Sequence, residues 1–99
     1  MALLVAVPNH ELDHYGLVRR SQNESDAAMI VRAFDLCGDT NCKLVQAWYH
    51  GACLAVARGV KSLYWSGEEF HTEIDATRRV WNICKQRDQE CVLVYNGCL

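Results

Sequence analysis

The segment Phe34-Asp-Leu-Cys37-Gly-Asp-Thr-Asn-Cys42-Lys-Leu-Val45 places two cysteines between a helical pattern and a run of strand-forming residues. A second copy follows in Trp81-Asn-Ile-Cys84 and Cys91-Val-Leu-Val94, and Cys53-Leu54 resembles Cys98-Leu99. Each half is therefore predicted to contain a helix, a loop between two cysteines, a strand and a further cysteine. Because one such unit cannot cover its own apolar face, we expect the two halves to pack together.

The chain contains six cysteines in 99 residues, a share typical of exported domains. An even number in so short a chain predicts a disulfide framework, and hence a periplasmic or secreted protein. The alternative is structural zinc, which favours cysteine pairs separated by two to four residues. Cys37 and Cys42 enclose four residues and fit this spacing, but Cys84 and Cys91 enclose six. We therefore predict disulfides, with no metal and no cofactor.

Six cysteines allow fifteen pairings, and the sequence alone does not select one. Since the end of a helix lies close to the start of the next strand, local bridges Cys37–Cys42 and Cys84–Cys91 are favoured. The remaining bridge, Cys53–Cys98, would then tie the two halves together. It closes the longest loop and has the largest expected effect on stability, about 4 kcal/mol.

Length and charge limit the classes of function. Ninety-nine residues with a formal net charge of −2 predict one globular domain without the basic surface of a nucleic-acid-binding protein. No stretch is long enough to span a membrane. Residues 1–13 are predicted to be an N-terminal strand or a remnant after removal of a signal, and residues 14–99 a single disulfide-stapled domain.

Two amphipathic helices are predicted. Apolar residues Ala27, Ile30, Val31 and Phe34 recur at helical spacing over residues 25–37. Ser25 is suited to the N-cap of this helix, and Gly38 to its end. A second helix over residues 73–85 is capped by Thr72, and its predicted apolar stripe is Ile74, Thr77, Val80, Trp81 and Cys84.

Alternating apolar residues predict five strands, near residues 14–19, 43–49, 52–57, 62–66 and 91–95, followed by a turn at Asn96-Gly97. Within the first strand, Gly16 indicates a bulge or a close approach of another backbone. The predicted fold class is α+β, with two helices packed on one face of an antiparallel sheet, two pseudo-duplicated halves and three disulfides.

The chain resembles the domain-of-unknown-function family 4189 over residues 14–99. The resemblance is carried by His14-Tyr15-Gly16, by Cys37-Gly38-Asp39 with Cys42-Lys43 and Val45, by Gly51-Ala52-Cys53 with Ala55-Val56-Ala57, and by the terminal Cys98. It implies a small exported bacterial domain with an α+β fold and disulfides. Family members with four cysteines lack the counterparts of Cys84 and Cys91 together, as a bridge between these two would predict. No catalytic motif is carried over.

Aromatic strand residues and acidic loop residues are the candidate partner-binding residues. Interfaces are enriched in Trp and Tyr, although Trp48 and Trp65 would equally suit a core, and the acidic residues a solvated face. Trp81 is predicted to lie in the core. The candidates are Trp48, Tyr49, Tyr64, Trp65, Glu68 and Glu69.

The sequence favours an exported, non-catalytic protein-binding module, such as an immunity or inhibitor protein against a secreted toxin or hydrolase. One alternative is a secreted effector acting on a host or competitor cell. Another is a small hydrolase or nuclease that uses His14, oriented by Asp13, or His71. Of the four histidines, no two stand four residues apart on one helix, as a helical metal pair requires. The expected partner is a toxin, hydrolase or host protein, and a homodimer is left open.

Overall fold

Residues 1–7 and 14–99 are described by a computed structural model, in which the order of elements repeats. The elements are β1 (Ala2–Ala6), β2 (Tyr15–Arg19), α1 (Asp26–Cys37), β3 (Lys43–Trp48), β4 (Cys53–Arg58), β5 (Leu63–Trp65), α2 (Glu73–Arg87) and β6 (Val92–Cys98). Each half of the chain is thus strand, strand, helix, strand. The chain divides into two units, Met1–Ala47 and Trp48–Leu99.

The described strands form two antiparallel sheets of three strands each, in the orders β2-β1-β3 and β5-β4-β6. In both sheets the first strand of the repeat is central, and the strand after the helix is at an edge. The α+β class with two helices is therefore confirmed, but the expectation of one sheet was wrong. Each half pairs its own three strands, because both edges of its first strand are already occupied. One edge pairs with the next strand of the chain, and the other pairs with the strand that follows the helix.

The N-terminal residues contribute the central strand of the first sheet. Ala2 pairs with Arg19, and Ala6 pairs with Tyr15. Of the two alternatives for the N-terminal segment, residues 2–6 are a strand, while residues 8–13 lie outside the described residues. At the C-terminus, the turn expected at Asn96-Gly97 was wrong, since both residues continue β6.

All six cysteines form disulfides with the predicted partners: Cys37–Cys42, Cys53–Cys98 and Cys84–Cys91. The first and third each join the end of a helix to the start of the next strand. The second joins β4 to β6, where Cys53 and Cys98 are directly opposite in the register. Because both cysteines belong to the second unit, the expectation that this bridge ties the two halves together was wrong.

The predicted apolar stripe of α1 was wrong. The buried side chains are Met29, Ala33 and Cys37, whereas Val31 is 58% exposed and Phe34 37% exposed. The helix turns its cysteine side toward the sheet because Cys37 must reach Cys42, and residues four and eight positions earlier then share that face. The close approach of another backbone, expected at Gly16 on β2, is confirmed. A Cβ atom added at Gly16 would overlap the carbonyl oxygen of Ala33 on α1.

Helix α2 buries the equivalent positions, Ala76, Val80 and Cys84. Each lies 47 residues after its counterpart on α1, as expected for an internal repeat. The predicted stripe of α2 was therefore right for Val80 and Cys84 but wrong for Ile74, which is 68% exposed.

Both helices begin and end largely as the sequence predicts. The side chains of Ser25 and Thr72 accept hydrogen bonds from the N–H groups of Ala28 and Asp75. Gly38 ends α1 with a positive φ of 69°, the left-handed conformation that glycine adopts readily. These contacts satisfy backbone groups that the helix termini would otherwise leave unpaired.

Each unit has an apolar cluster between its helix and its sheet. Leu3, Val5 and Val18 pack with the buried face of α1, and Cys53, Ala55 and Ala57 pack with that of α2. No helix in the described ranges 1–7 and 14–99 is both long enough and apolar enough to cross a bilayer.

Candidate functional site

Trp48 does not offer a free surface to a partner. Its side chain is fully buried, and its Nε1–H group is 3.0 Å from the carbonyl oxygen of Ser66 and 3.3 Å from that of Gly67. A buried indole N–H requires such an acceptor. Of the two roles that the sequence leaves open, Trp48 therefore has the core role, and it fixes the backbone just before Glu68 and Glu69.

Tyr64 is half-buried and belongs to a network centred on Asp88, the residue that ends α2. The Tyr64 hydroxyl donates to Asp88 Oδ2 at 3.0 Å. The same carboxylate accepts from the backbone N–H groups of Val60, Lys61 and Ser62 in the turn between β4 and β5. Asp88 thus holds this hairpin turn against the end of α2.

The pKa values of both groups follow from this geometry. Burial raises the pKa of the Tyr64 hydroxyl, and its hydrogen bond to the Asp88 carboxylate adds to the effect. Burial alone would raise the pKa of Asp88, but hydrogen bonds from the N–H groups of Gln89 and Lys61, from Tyr64 and from the N–H group of Val60 lower it to about 2. The Asp88 carboxylate is therefore a structural anion.

The other predicted partner-binding residues are accessible to solvent. Tyr49 is 58% exposed, Glu68 and Glu69 are exposed, and Trp65 is half-buried. The conformation of each is compatible with contact to a partner, and their role in binding stays a prediction.

His14 and His71 each contact a backbone carbonyl in their own unit. His14 Nδ1 lies 3.2 Å from the carbonyl oxygen of Cys37, and His71 Nδ1 lies 3.2 Å from that of Gly51. Because a carbonyl oxygen only accepts, the Nδ1 atoms carry the protons in these hydrogen bonds. Asp13, the expected partner of His14, lies outside the described residues. Both rings thus have a contact that explains their placement without catalysis.

A surface groove that the sequence did not predict lies between α2 and β6 in the second unit. Its volume is about 740 Å³. Six lining residues come from α2 and the residue before it, and one comes from β6: Thr72, Glu73, Ile74, Thr77, Arg78, Trp81 and Asn96. We call this feature the α2–β6 groove.

The α2–β6 groove combines apolar surface with a few oriented polar groups. Ile74 and the half-buried Trp81 supply the apolar part. Asn96 Nδ2 donates to Glu73 Oε1 at 2.7 Å, joining β6 to α2. Lys85 Nζ lies 5.3 Å from the centre of the Trp81 ring, within cation–π range. Apolar walls with a small number of placed polar groups are typical of binding sites.

Thr77 adds an unsatisfied group to the groove lining. Its Oγ1 atom is shielded from solvent and has no hydrogen-bond partner among the described residues. Buried hydroxyls without partners are uncommon and destabilising.

Sequence reasoning missed this groove because it placed Trp81 and Ile74 in the core. The signal that could have revealed it is the position of Cys84. Once Cys84 faces Cys91, which directly precedes β6, Val80 and Ala76 share its buried face and Ile74 lies outside it.

No three His, Cys, Asp or Glu side chains in residues 1–7 and 14–99 are grouped as a metal site would require.

The model of the domain of unknown function DUF4189 matches residues 5–98, nearly the whole chain. The chain belongs to the DUF4189 family. No curated protein and no solved structure shows significant similarity to it. A second surface groove lies on α1 of this DUF4189 domain, and of the two the α2–β6 groove, with its tryptophan, is taken as the candidate site.

Proposed function

We propose that this DUF4189 domain is an exported protein-binding module, and that its partner binds the α2–β6 groove. The observation that carries the proposal is the exposure of Ile74, which is 68%, next to the half-buried Trp81 in a concave surface. Partly exposed tryptophan beside aliphatic side chains is typical of the anchoring centre of protein interfaces.

The disulfides support the proposed compartment. All six cysteines are paired, and two of the three bridges fix the exits of helices. Such bridges persist in the periplasm and outside the cell, and they are rare in the reducing cytosol. The proposed location is therefore periplasmic or secreted.

The polar groups of the groove favour a partner that makes hydrogen bonds or charge contacts as well as apolar contacts. The hydrogen bond between Asn96 and Glu73 fixes part of the groove rim, and the exposed Arg78 adds a second charged group to the lining. For the partner we propose a secreted toxin or hydrolase, which the domain would block as an inhibitor or immunity protein by covering its surface.

The test compares two matched substitutions of exposed aliphatic residues. Ile74→Asp changes the groove, and Val31→Asp changes a similarly exposed position on α1. The oxidised protein is used to capture partners from periplasmic and culture fractions, and captured proteins are assayed with and without it for hydrolase activity or toxicity. We expect I74D to weaken capture by about tenfold or more, as loss of an interface anchor does, and V31D to keep it.

Circular dichroism and thiol titration check that both variants are folded and oxidised. Equal capture by I74D and by the unsubstituted protein would contradict the groove as the binding site. A captured protein whose activity is unchanged in the complex would contradict the inhibitor role.

A further inference from the structure

The outer face of α1, in the first unit, carries the second groove, which we call the α1 groove. Its volume is about 560 Å³. Val31 and Leu36 in its lining are each 58% exposed, so the groove presents apolar side chains to solvent. The lining comes from α1 and one residue just before it: Glu24, Ala27, Ala28, Val31, Arg32, Asp35 and Leu36.

The shape of the α1 groove is low at one end and high at the other. Residues four positions apart are neighbours on a helix face, and such rows form the ridges by which helices pack. Two rows run along this face: Ala27, Val31 and Asp35, and Ala28, Arg32 and Leu36. Because both rows begin with alanine, the N-terminal half is a depression, whereas Leu36 projects from the C-terminal half.

This shape is complementary to itself when two copies of α1 pack antiparallel. The depression of each helix then lies opposite the projecting Leu36 of the other. Val31 is close to the middle of α1 (Asp26–Cys37), so a two-fold axis beside it brings the two Val31 side chains together. Two-fold dimers use the same surface of both subunits in this way.

The charged groups of the α1 groove are also complementary across an antiparallel pair. Arg32 reaches back along the helix to Glu24, donating from Nε at 3.0 Å and from Nη2 at 2.8 Å. Its positive charge therefore lies over the N-terminal half of α1, whereas the exposed Asp35 is near the C-terminal end. Each Asp35 would lie beside Arg32 of the other copy, and the five N–H donors of a guanidinium suffice for two carboxylates.

We infer that the α1 groove is a dimerisation surface and that its occupant is a second copy of this chain. The helices pack antiparallel about Val31, Leu36 of each copy fills the depression at Ala27 and Ala28 of the other, and Asp35 pairs with Arg32. Since α1 has 12 residues and is about 18 Å long, the contact is smaller than the roughly 1,200–2,000 Å² of stable complexes. The dimer is therefore weak and forms at high protein concentration.

Sedimentation velocity of the oxidised protein over a range of protein and salt concentrations tests the inference. We expect a reversible equilibrium between monomer and dimer that salt shifts toward the monomer, since the charge contacts are near solvent. Leu36→Asp should raise the dissociation constant about tenfold or more. Leu44→Asp, at a leucine of β3 that is 50% exposed, is the matched control and should leave it unchanged.

Asp35→Asn tests the charge contact with a substitution that preserves side-chain shape. It should weaken the dimer and reduce the dependence of dimerisation on salt. Circular dichroism and thiol titration check that each variant is folded and oxidised. A monomer at every concentration, an equal effect of L36D and L44D, or an unchanged salt dependence in D35N would overturn the inference.

The dimer and the proposed partner site use different helices, so they can be tested separately. Val31→Asp should weaken the dimer and keep partner capture, whereas Ile74→Asp should keep the dimer. If L36D is monomeric like the unsubstituted protein but loses partner capture, the α1 groove binds the partner and the dimer is overturned.

Discussion

Gly16 on β2 lies directly against Ala33 on α1. A Cβ atom at position 16 would overlap the Ala33 carbonyl oxygen and lie 3.0 Å from Leu36 Cβ. Backbone cannot move aside as the end of a flexible side chain can, so glycine is what allows the helix to approach this strand. The contact also explains why α1 turns the small Ala33, and not Phe34, toward the sheet.

Gly16→Ala should therefore lower the free energy of unfolding by about 1–3 kcal/mol, the usual effect of overpacking. Urea unfolding followed by circular dichroism measures it. Gly67→Ala is the matched control, because the atoms nearest to the added Cβ belong to the end of the exposed Glu69 side chain, which can move aside. If the two variants unfold at the same urea concentration, the close contact between β2 and α1 is wrong.

The buried face of α1 is tested by two substitutions two residues apart. Met29→Ala should lower the free energy of unfolding by about 2–4 kcal/mol, because it leaves a cavity among buried residues. Val31→Ala should change it by less than about 0.5 kcal/mol, since Val31 is mostly exposed. If guanidinium unfolding shows the larger loss of stability for Val31→Ala, the buried face is the apolar stripe predicted from the sequence, and the face described here is wrong.

The Asp88 carboxylate makes stability depend on pH in acid. Its pKa is about 2 in the folded protein, below the ordinary value of 3.8 that it has when unfolded. Because the folded pKa is the lower one, its contribution is fully present above about pH 5 and is lost as the pH falls from about 4 to about 2. Asp88→Asn should therefore be less stable than the unsubstituted protein at neutral pH, by a difference that shrinks over this interval.

Urea unfolding of both proteins between pH 2 and pH 7 measures that difference. Glu24 titrates in the same range, because a hydrogen bond from Arg32 and one from the Ser21 N–H group lower its pKa to about 2. Its contribution is common to both proteins and cancels. A difference that stays constant down to about pH 2 would show that the Asp88 charge does not hold the hairpin turn.

The three disulfides should differ in their effect on stability. Cys53–Cys98 spans 45 residues, Cys84–Cys91 spans seven and Cys37–Cys42 spans five. In the chain-entropy model, replacing each pair by alanine lowers the free energy of unfolding by about 4 kcal/mol for the long bridge and about 2 kcal/mol for each short one. Denaturant unfolding of the three double variants checks the order, and an equal loss for all three would contradict it.

Thr77→Val should raise stability without weakening binding. Removing a shielded hydroxyl without a partner should raise the free energy of unfolding by about 1 kcal/mol. Because the Thr77 hydroxyl is shielded and a bound partner does not reach it, the same substitution should leave capture unchanged. Thermal unfolding and the capture assay are run on the same preparation, with Thr40→Val, an exposed loop position, as the control. A destabilised T77V would show that the hydroxyl is satisfied.

Features that depend on neighbouring residues or on composition could be predicted from the chain alone. The N-caps Ser25 and Thr72 and the glycine that ends α1 were predictable because they act within one turn of their own helix. The two local disulfides followed from the distance between a helix end and the next strand. The internal repeat and the α+β class followed from the recurring spacing of cysteines and apolar residues.

Packing between distant elements determines which of several apolar surfaces is buried. Helix α1 is apolar around much of its circumference, so periodicity alone could not choose between the face of Phe34 and that of Ala33. The central place of β1, the pairing of Cys53 and Cys98 within one unit, the attachment of the hairpin turn to Asp88 and the opening of a groove beside Trp81 depend on residues far apart in the chain. Such contacts are set by how elements pack, and a local pattern carries no information about the element against which it will lie.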